Sequence, residues 1–325
     1  MGLDKQTRIL VLSYATDWLI SIALAAGTFG LDHVAGFKRE FSLQDRTIQF
    51  PFAEHERVPD WALYVIAVGA PVVLLPLINS LTLRSKWDFH VSLLGLIFGL
   101  SLTGVVTEVV KLTVGRPRPD LIARCIPRSG SVDPPLGLST FEICTQTDWY
   151  KFHDGWRSFP SGHSSLSFAG LGFLTFYLAG KLHLFDRKAY TVKVWLSLAP
   201  LLGAALVAIS RTMDSRHHWQ DVLTGSALGL TLSYLAYRQH YPALHSSTCH
   251  LPYPPRERLE QTVLPVHRND VHPSLEMYRH ASPSFDQPVY RDEHSDDEQL
   301  PLTSPNGSRV HSSSAVPKGA PGLEL

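Results

Sequence analysis

The sequence predicts an all-α integral membrane bundle of six transmembrane helices followed by a disordered C-terminal tail. Three observations lead there. Residues 1–240 hold six stretches long and apolar enough to span a bilayer. Residues 241–325 hold none and are rich in Pro, Ser, His and acidic side chains. A dense run of charge at 210–221 falls at the boundary between the last two apolar stretches, where it is costly unless water or a partner reaches it. The 29 basic and 29 acidic side chains of the 325 residues balance, but that neutrality sums two unlike parts. No basic stripe or patch points to nucleic acid.

A spanning helix needs ~20 mainly apolar residues to cross ~30 Å of hydrocarbon. The candidates are residues 9–31, 61–83, 90–114, 163–179, 192–210 and 219–237; the fourth and sixth are short or polar at one end. The first is long enough to stay as an anchor, with no cleavage site of small residues near it. Trp61, Trp87, Trp195, Trp219 and Tyr237 stand at proposed ends, as interfacial aromatics do. Gly95-x3-Gly99 and Gly225-x3-Gly229 place small residues on one helix face, which allows close helix contact. Asp17 and Glu108 interrupt the apolar runs. The plainer reading has both facing the bundle interior with a partner, Glu108 pairing at i,i+3 with Lys111; the functional alternative makes Glu108 part of the layer supporting the site.

The connections alternate in length. Residues 32–60 and 115–162 are long, whereas 84–89 and 180–191 are short and basic. Lys181, Arg187 and Lys188 place the short connections in the cytosol, so that both termini are cytosolic and the long loops face the lumen or exterior. Cys125 and Cys144 share the second long loop, and Cys249 lies beyond residue 240. These three do not match a zinc spacing. A Cys125–Cys144 bridge in an oxidising lumen would close about 20 residues and contribute roughly 3 kcal/mol. Spacing leaves that bridge and two free thiols equally open.

In the first long loop, Thr47-Ile48-Gln49-Phe50-Pro51-Phe52-Ala53 is an apolar island followed by Glu54-His55-Glu56-Arg57. It is expected to pack over the bundle; the alternative is a place in the membrane interface, admitting a lipid. From Tyr241 onward nothing sustains helical or strand periodicity, the mark of a disordered cytosolic tail. Ser295, in an acidic run, is a candidate kinase target there. The sequon Asn306-Gly307-Ser308 is expected to stay bare on the cytosolic side.

Three motifs carry chemistry. In the first, residues 111–119, Lys111 offers a compact ammonium and Arg118 a planar fork of donors, both suited to phosphate oxygens; a basic helix end snorkelling to headgroups is the plainer reading. In the second, Pro160-Ser161-Gly162-His163, a Ser-Gly pair at a helix N-terminus exposes backbone N–H groups and the positive end of the dipole. His163 in the same turn can act as general acid; a simple N-cap is the alternative. In the third, residues 210–221, Arg211 follows the fifth helix, and His217 and Asp221 are four apart, so on a helix they share a face. A carboxylate on one imidazole nitrogen would leave the other free to attack. His218, at i,i+3 to Asp221, is the rival nucleophile. Under six spans, all three motifs fall on one membrane face.

Lys-x6-Arg-Pro, Pro-Ser-Gly-His and Ser-Arg-x5-His-x3-Asp are the three signatures of the type 2 phosphatidic acid phosphatase superfamily, and this chain resembles it at 111–119, 160–163 and 210–221. It looks closest to the fungal diacylglycerol pyrophosphate phosphatases, sharing Phe50-Pro51-Phe52-Ala53-Glu54-His55-Glu56-Arg57-Val58, Phe168-Ala169-Gly170-Leu171-Gly172 and residues 200–206. The likeness spans roughly residues 1–240.

The resemblance implies an integral membrane phosphatase acting on phosphatidic acid, diacylglycerol pyrophosphate or related lipid phosphates. It implies His217 as nucleophile through a phosphohistidine, Asp221 orienting it, and His163 protonating the leaving oxygen and later activating water. Lys111, Arg118, Ser161, Gly162, His163 and Arg211 would hold the phosphoryl oxygens. Three cationic side chains can supply the charge that Mg²⁺ supplies elsewhere, so no metal or other cofactor is expected. The fungal likeness points to the vacuolar membrane or another endomembrane. A second enzymatic reading is a sphingoid or isoprenoid phosphate phosphatase, or headgroup transfer to another alcohol. A catalytically silent scaffold acting through its tail is the reading from another class; the complete motifs argue against it. A peroxidase fits six spans less well still.

Overall fold

The computed structural model describes residues 5–188 and 190–256, with side chains from residue 12 onward. Ser295 and the sequon at Asn306 lie outside the described residues. Among those described the chain is helical, with two isolated β-bridges, Phe41–Ser139 and Pro127–Cys144, and no strand.

Helix α1 (Lys5–Asp32) is followed by α2 (Asp60–Tyr64), which passes through a π-helical turn (Val65–Gly69) into α3 (Ala70–Leu81). Helix α4 (Lys86–Val114) starts where Ser85 accepts from the Asp88 N–H and stops at Gly115, whose φ of 56° suits a residue without Cβ. The second long loop carries the short helices α5 (Leu121–Cys125) and α6 (Trp149–Asp154). Helices α7 (Gly162–Lys181), α8 (Thr191–Met213) and α9 (Trp219–His240) complete the bundle. Pro76 and Pro200 lie inside α3 and α8, as membrane helices tolerate when neighbours satisfy the freed backbone.

The six expected helices are therefore present, with ends within a few residues of those read from hydropathy. Four are long and apolar enough to cross a membrane: Leu12–Asp32, Asp60–Leu81, Lys86–Val114 and Thr191–Met213. The six-span expectation is thus met in part. Helices α7 and α9, with 20 and 22 residues, are long enough at ~1.5 Å per residue but more polar. The reason is packing. Helix α7 lies against α4, α8, α9 and the α2–α3 segment, and its serines and glycines face protein. Leu19, Trp61, Val73, Trp195 and Leu206, on three of these four helices, are more than half exposed, as lipid-facing side chains would be. Tyr237 is fully buried against Phe173 and Tyr241, so it is a core residue and not an interfacial anchor.

Close backbone approach fixes the centre. A Cβ at Gly229 would lie 2.1 Å from the Ser165 carbonyl oxygen, and one at Gly225 would lie 2.6 Å from that of Ser161. The second glycine pair thus brings α9 directly onto α7, as its spacing suggested. Helix directions alternate. Asp88 at the start of α4 accepts from Tyr177 and Lys181 at the end of α7 and from Tyr241 after α9. At the opposite end, Lys111 of α4 meets the start of α7.

Two differences from the sequence reading stand out. Residues 241–256, expected to belong to the tail, pack on the bundle: Tyr241 and Cys249 are buried, Lys181 donates to the His250 carbonyl, and Arg256 pairs with Asp17 at 2.8 Å. These contacts are to scattered side chains and carry no periodicity that a sequence scan could detect. The island at 47–53 also does more than lie over the bundle. Ile48 joins Phe41, Leu121, Cys125 and Trp156 in a small separate core, so the two long loops fold together into a cap.

Cys125 and Cys144 are bridged within that cap, 19 residues apart, and Cys249 is free and buried. Replacing both bridged cysteines with serine is expected to lower the stability of the cap by about 3 kcal/mol. Thermal unfolding in detergent, with proteolysis reporting the second long loop, checks this; an unchanged profile would contradict it.

Candidate active site

The ends of α4 and α8 and the starts of α7 and α9 bring the three motifs together. Lys111 projects from the last turn of α4 and donates to Glu108 at 2.7 Å, the expected i,i+3 pair. The other oxygen of Glu108 accepts from Arg157 at 2.6 Å, and Arg157 also donates to the Asp32 carbonyl at the end of α1. Glu108 therefore belongs both to the bundle interior and to the layer behind the site. A Cβ at Gly162 would stand 3.0 Å from the Lys111 ammonium, so this ammonium faces the first turn of α7.

Arg118 lies in the loop after α4. Its backbone N–H donates to Gly155 and its guanidinium to Asp154 at 2.6 Å, while its buried Nε has no partner among the described residues. Asp154 also accepts from Arg124, which in turn donates to Asp120. Burial alone would raise the pKa of Asp154, but Arg118 and Arg124 outweigh it and bring it down to about 2. Arg118 is thus held by a carboxylate that stays ionised.

Ser161 is the N-cap of α7: its hydroxyl accepts from the Ser164 N–H and hydroxyl. The capping reading is realised, and it leaves the first-turn N–H groups of Gly162 and His163 without intrahelical acceptors. His163 Nε2 lies 3.0 Å from the Val58 carbonyl oxygen and 3.7 Å from Asp60. Arg211, 1% exposed, donates to Glu56 at 2.6 Å, to Asp214 at 3.1 Å and to Ser210.

The histidine–aspartate pair is built differently from the expectation. Helix α9 begins at Trp219 with His218 as N-cap, so His217 lies outside the helix and cannot share a face with Asp221. Its Nδ1 is 2.7 Å from the Ser158 carbonyl oxygen. A carbonyl can only accept, so Nδ1 carries the proton and Nε2 the lone pair. Asp221 acts one step away: it accepts from the Ser158 hydroxyl at 2.6 Å, from Arg116 at 2.6 Å and from the His218 N–H at 3.0 Å. His218, the rival nucleophile, has its Nδ1 on Asp221 at 3.3 Å and serves the cap of α9.

His217 is 4% exposed. Burial, and then the positive charges of Arg118 and Lys111, push its pKa well below the ordinary 6.5. The site thus disfavours the protonated imidazole and leaves the lone pair on Nε2, with Arg118, Lys111 and His163 near enough to act on the ring electrostatically. That is an arrangement for attack on an anionic centre. Sequence reasoning missed Ser158, Arg157, Asp154 and Glu56. Ser158 and Arg157 adjoin the second motif, and Glu56 follows the apolar island. Nothing in their spacing announces a partner 30 or more residues away.

A profile of the PAP2 superfamily matches residues 92–244. "Probable diacylglycerol pyrophosphate phosphatase 1" of Schizosaccharomyces pombe is 41% identical over 232 residues, covering 70% of this chain and 82% of the relative. "Lipid phosphate phosphatase 1" of Arabidopsis thaliana is 38% identical, covering 70% of this chain and 68% of the relative. "Diacylglycerol pyrophosphate phosphatase 1" of Saccharomyces cerevisiae is 38% identical, covering 67% of this chain and 75% of the relative. No solved structure matches. With its three signatures converging on one site, the chain belongs to the PAP2 superfamily, the type 2 phosphatidic acid phosphatases.

Proposed function

We propose that the protein is an integral membrane lipid phosphate phosphatase, hydrolysing phosphatidic acid, diacylglycerol pyrophosphate and related lipids through a phosphohistidine on His217. The observation that carries this reading is the buried His217, its Nδ1 committed to the Ser158 carbonyl, so that the lone pair lies on Nε2, with Arg118 and Lys111 close enough to disfavour its protonation. The names of the relatives supply the substrate class.

In the first step Nε2 attacks phosphorus and the bond to the leaving oxygen breaks. His163 gives that oxygen a proton. In the second step water attacks the phosphohistidine, yields a proton to His163, and the N–P bond breaks. Lys111, Arg118 and Arg211, with the first-turn N–H groups of α7, hold the phosphoryl oxygens; positioning and charge supply most of the catalysis in such transfers. Asp221 acts as a positioning residue through Ser158.

Helices α7 and α9 are read as crossing the bilayer inside the bundle, making six spans. The alternating helix directions and the bridged cysteines on the cap side support a site facing a lumen, with the first helix starting in the cytosol. A vacuolar or other endomembrane suits that reading.

Phosphate release from diacylglycerol pyrophosphate and phosphatidic acid, by detergent-purified protein in chelator, tests the proposal. Undiminished release is expected. Activity that vanished with chelator and returned with Mg²⁺ would overturn metal independence. Release from neither lipid, with turnover of a sphingoid or isoprenoid phosphate or transfer to an added alcohol, would move the assignment to those reactions.

A further inference from the structure

The first long loop reaches the site from outside the three signatures and from outside the family profile, which starts at residue 92. Residues 53–58 run as a strap across the ends of α7 and α8. Glu56 is its centre. One carboxylate oxygen accepts from Arg211 at 2.6 Å, and the other pairs with Arg216 at 2.9 Å. The neighbouring residues fasten the strap. The Ala53 carbonyl accepts from Arg216 at 3.0 Å, the Arg57 N–H donates to Asp214 at 2.9 Å, and the Arg57 guanidinium pairs with the same carboxylate. The Val58 carbonyl takes the Nε2 side of His163.

Arg211 has five N–H donors in a rigid plane. Ser210, Asp214 and Glu56 take three of them from different directions, which fixes the plane and leaves two donors. Ser210 is local to the end of α8 and Asp214 reaches the strap through Arg57, whereas Glu56 is the strap carboxylate that accepts from this guanidinium directly. Glu56 also stands between two like charges, Arg211 and Arg216, which its bridging carboxylate keeps from repelling each other.

We propose that Glu56 is a positioning residue of the phosphate clamp, its carboxylate bridging Arg211 and Arg216 so that the remaining Arg211 donors face the phosphoryl group. The assignment rests on the phosphoryl-transfer reading above. It makes the first long loop part of the active site.

The experiment compares the full chain in detergent as wild type, Glu56→Gln, Glu56→Asp, Arg211→Ala and the double variant Glu56→Gln with Arg211→Ala. kcat and KM are measured with phosphatidic acid in mixed micelles, and orthovanadate binding by its effect on thermal unfolding. Glu56→Gln keeps shape and one acceptor. It is expected to lower kcat/KM by about 10- to 100-fold, the scale of losing a clamp residue's alignment, and to weaken the vanadate shift. Glu56→Asp should recover part of both. The double variant should be no worse than Arg211→Ala alone, because Glu56 acts through that arginine.

Losses that multiply in the double variant, or a Glu56→Gln enzyme with wild-type kinetics, would overturn the proposal. So would a lower KM in Glu56→Gln, which would make the carboxylate a competitor that phosphate displaces. Should Glu56→Gln fail to fold, Glu56→Asp carries the same comparisons. A wild type inactive on every lipid phosphate, yet stabilised by vanadate in a manner lost in Arg211→Ala and weakened in Glu56→Gln, would retire the substrate class and keep the Glu56 assignment.

Discussion

His217→Ala is expected to reduce kcat for phosphate release by about 10⁴-fold or more, the scale seen when an enzyme loses its nucleophile. KM should change far less, because Lys111, Arg118 and Arg211 remain in place with their carboxylate partners. His218→Ala provides the contrast. That side chain closes the capping box of α9 with Asp221, so its loss should cost about 1 kcal/mol of stability and only a modest part of the rate. The two adjacent histidines are thus separated by what their Nδ1 atoms hold: a backbone carbonyl for His217, a carboxylate for His218. Steady-state kinetics on the two variants check the difference. Equal losses would contradict it.

Gly229→Val is expected to destabilise the protein by about 3 kcal/mol or more, at the upper end of overpacking penalties. The clash is with backbone, the Ser165 carbonyl at 2.1 Å from a single added Cβ, and no rotamer change relieves it. Helices α7 and α9 would have to separate where the Ser161 N–H donates to the Asp221 carbonyl at 3.0 Å, so phosphate release should fall with stability. Gly30→Ala is the control, since a Cβ at Gly30 in α1 meets nothing within 4 Å; it should be neutral or slightly stabilising. Thermal unfolding midpoints in detergent measure both. A Gly229→Val protein as stable as the wild type would show that α9 does not rest on α7 in this register.

Much of this architecture is legible in the sequence. Hydropathy located all six long helices, because a bilayer demands long apolar runs, and the Gly225–Gly229 spacing anticipated the contact of α9 with α7. The residues at the three signatures converge on one end of the bundle. What stayed hidden shares one cause: partners distant in sequence. The hold of Ser158 on His217 depends on where α9 starts, and a shift of the N-cap to His218 turned an assumed i,i+4 pair into a relay. Hydropathy understated the role of α7 and α9, whose buried serines and glycines pack against protein. The small core around Ile48 and Trp156 was equally unreadable, since it joins two loops from either side of three helices. Residues 241–256 looked like tail because a docked segment needs only a few fitted contacts.

The central claim is tested most directly by rapid mixing of the enzyme with phosphatidic acid carrying a labelled phosphate, an alkaline quench that preserves phosphohistidine, and mapping of the labelled peptide. The expected result is label on the imidazole of His217, rising and decaying with turnover, and absent in His217→Ala. Label on His218 would move the nucleophile by one residue. Turnover with no labelled histidine at any time would contradict the covalent mechanism and leave direct attack by water in its place.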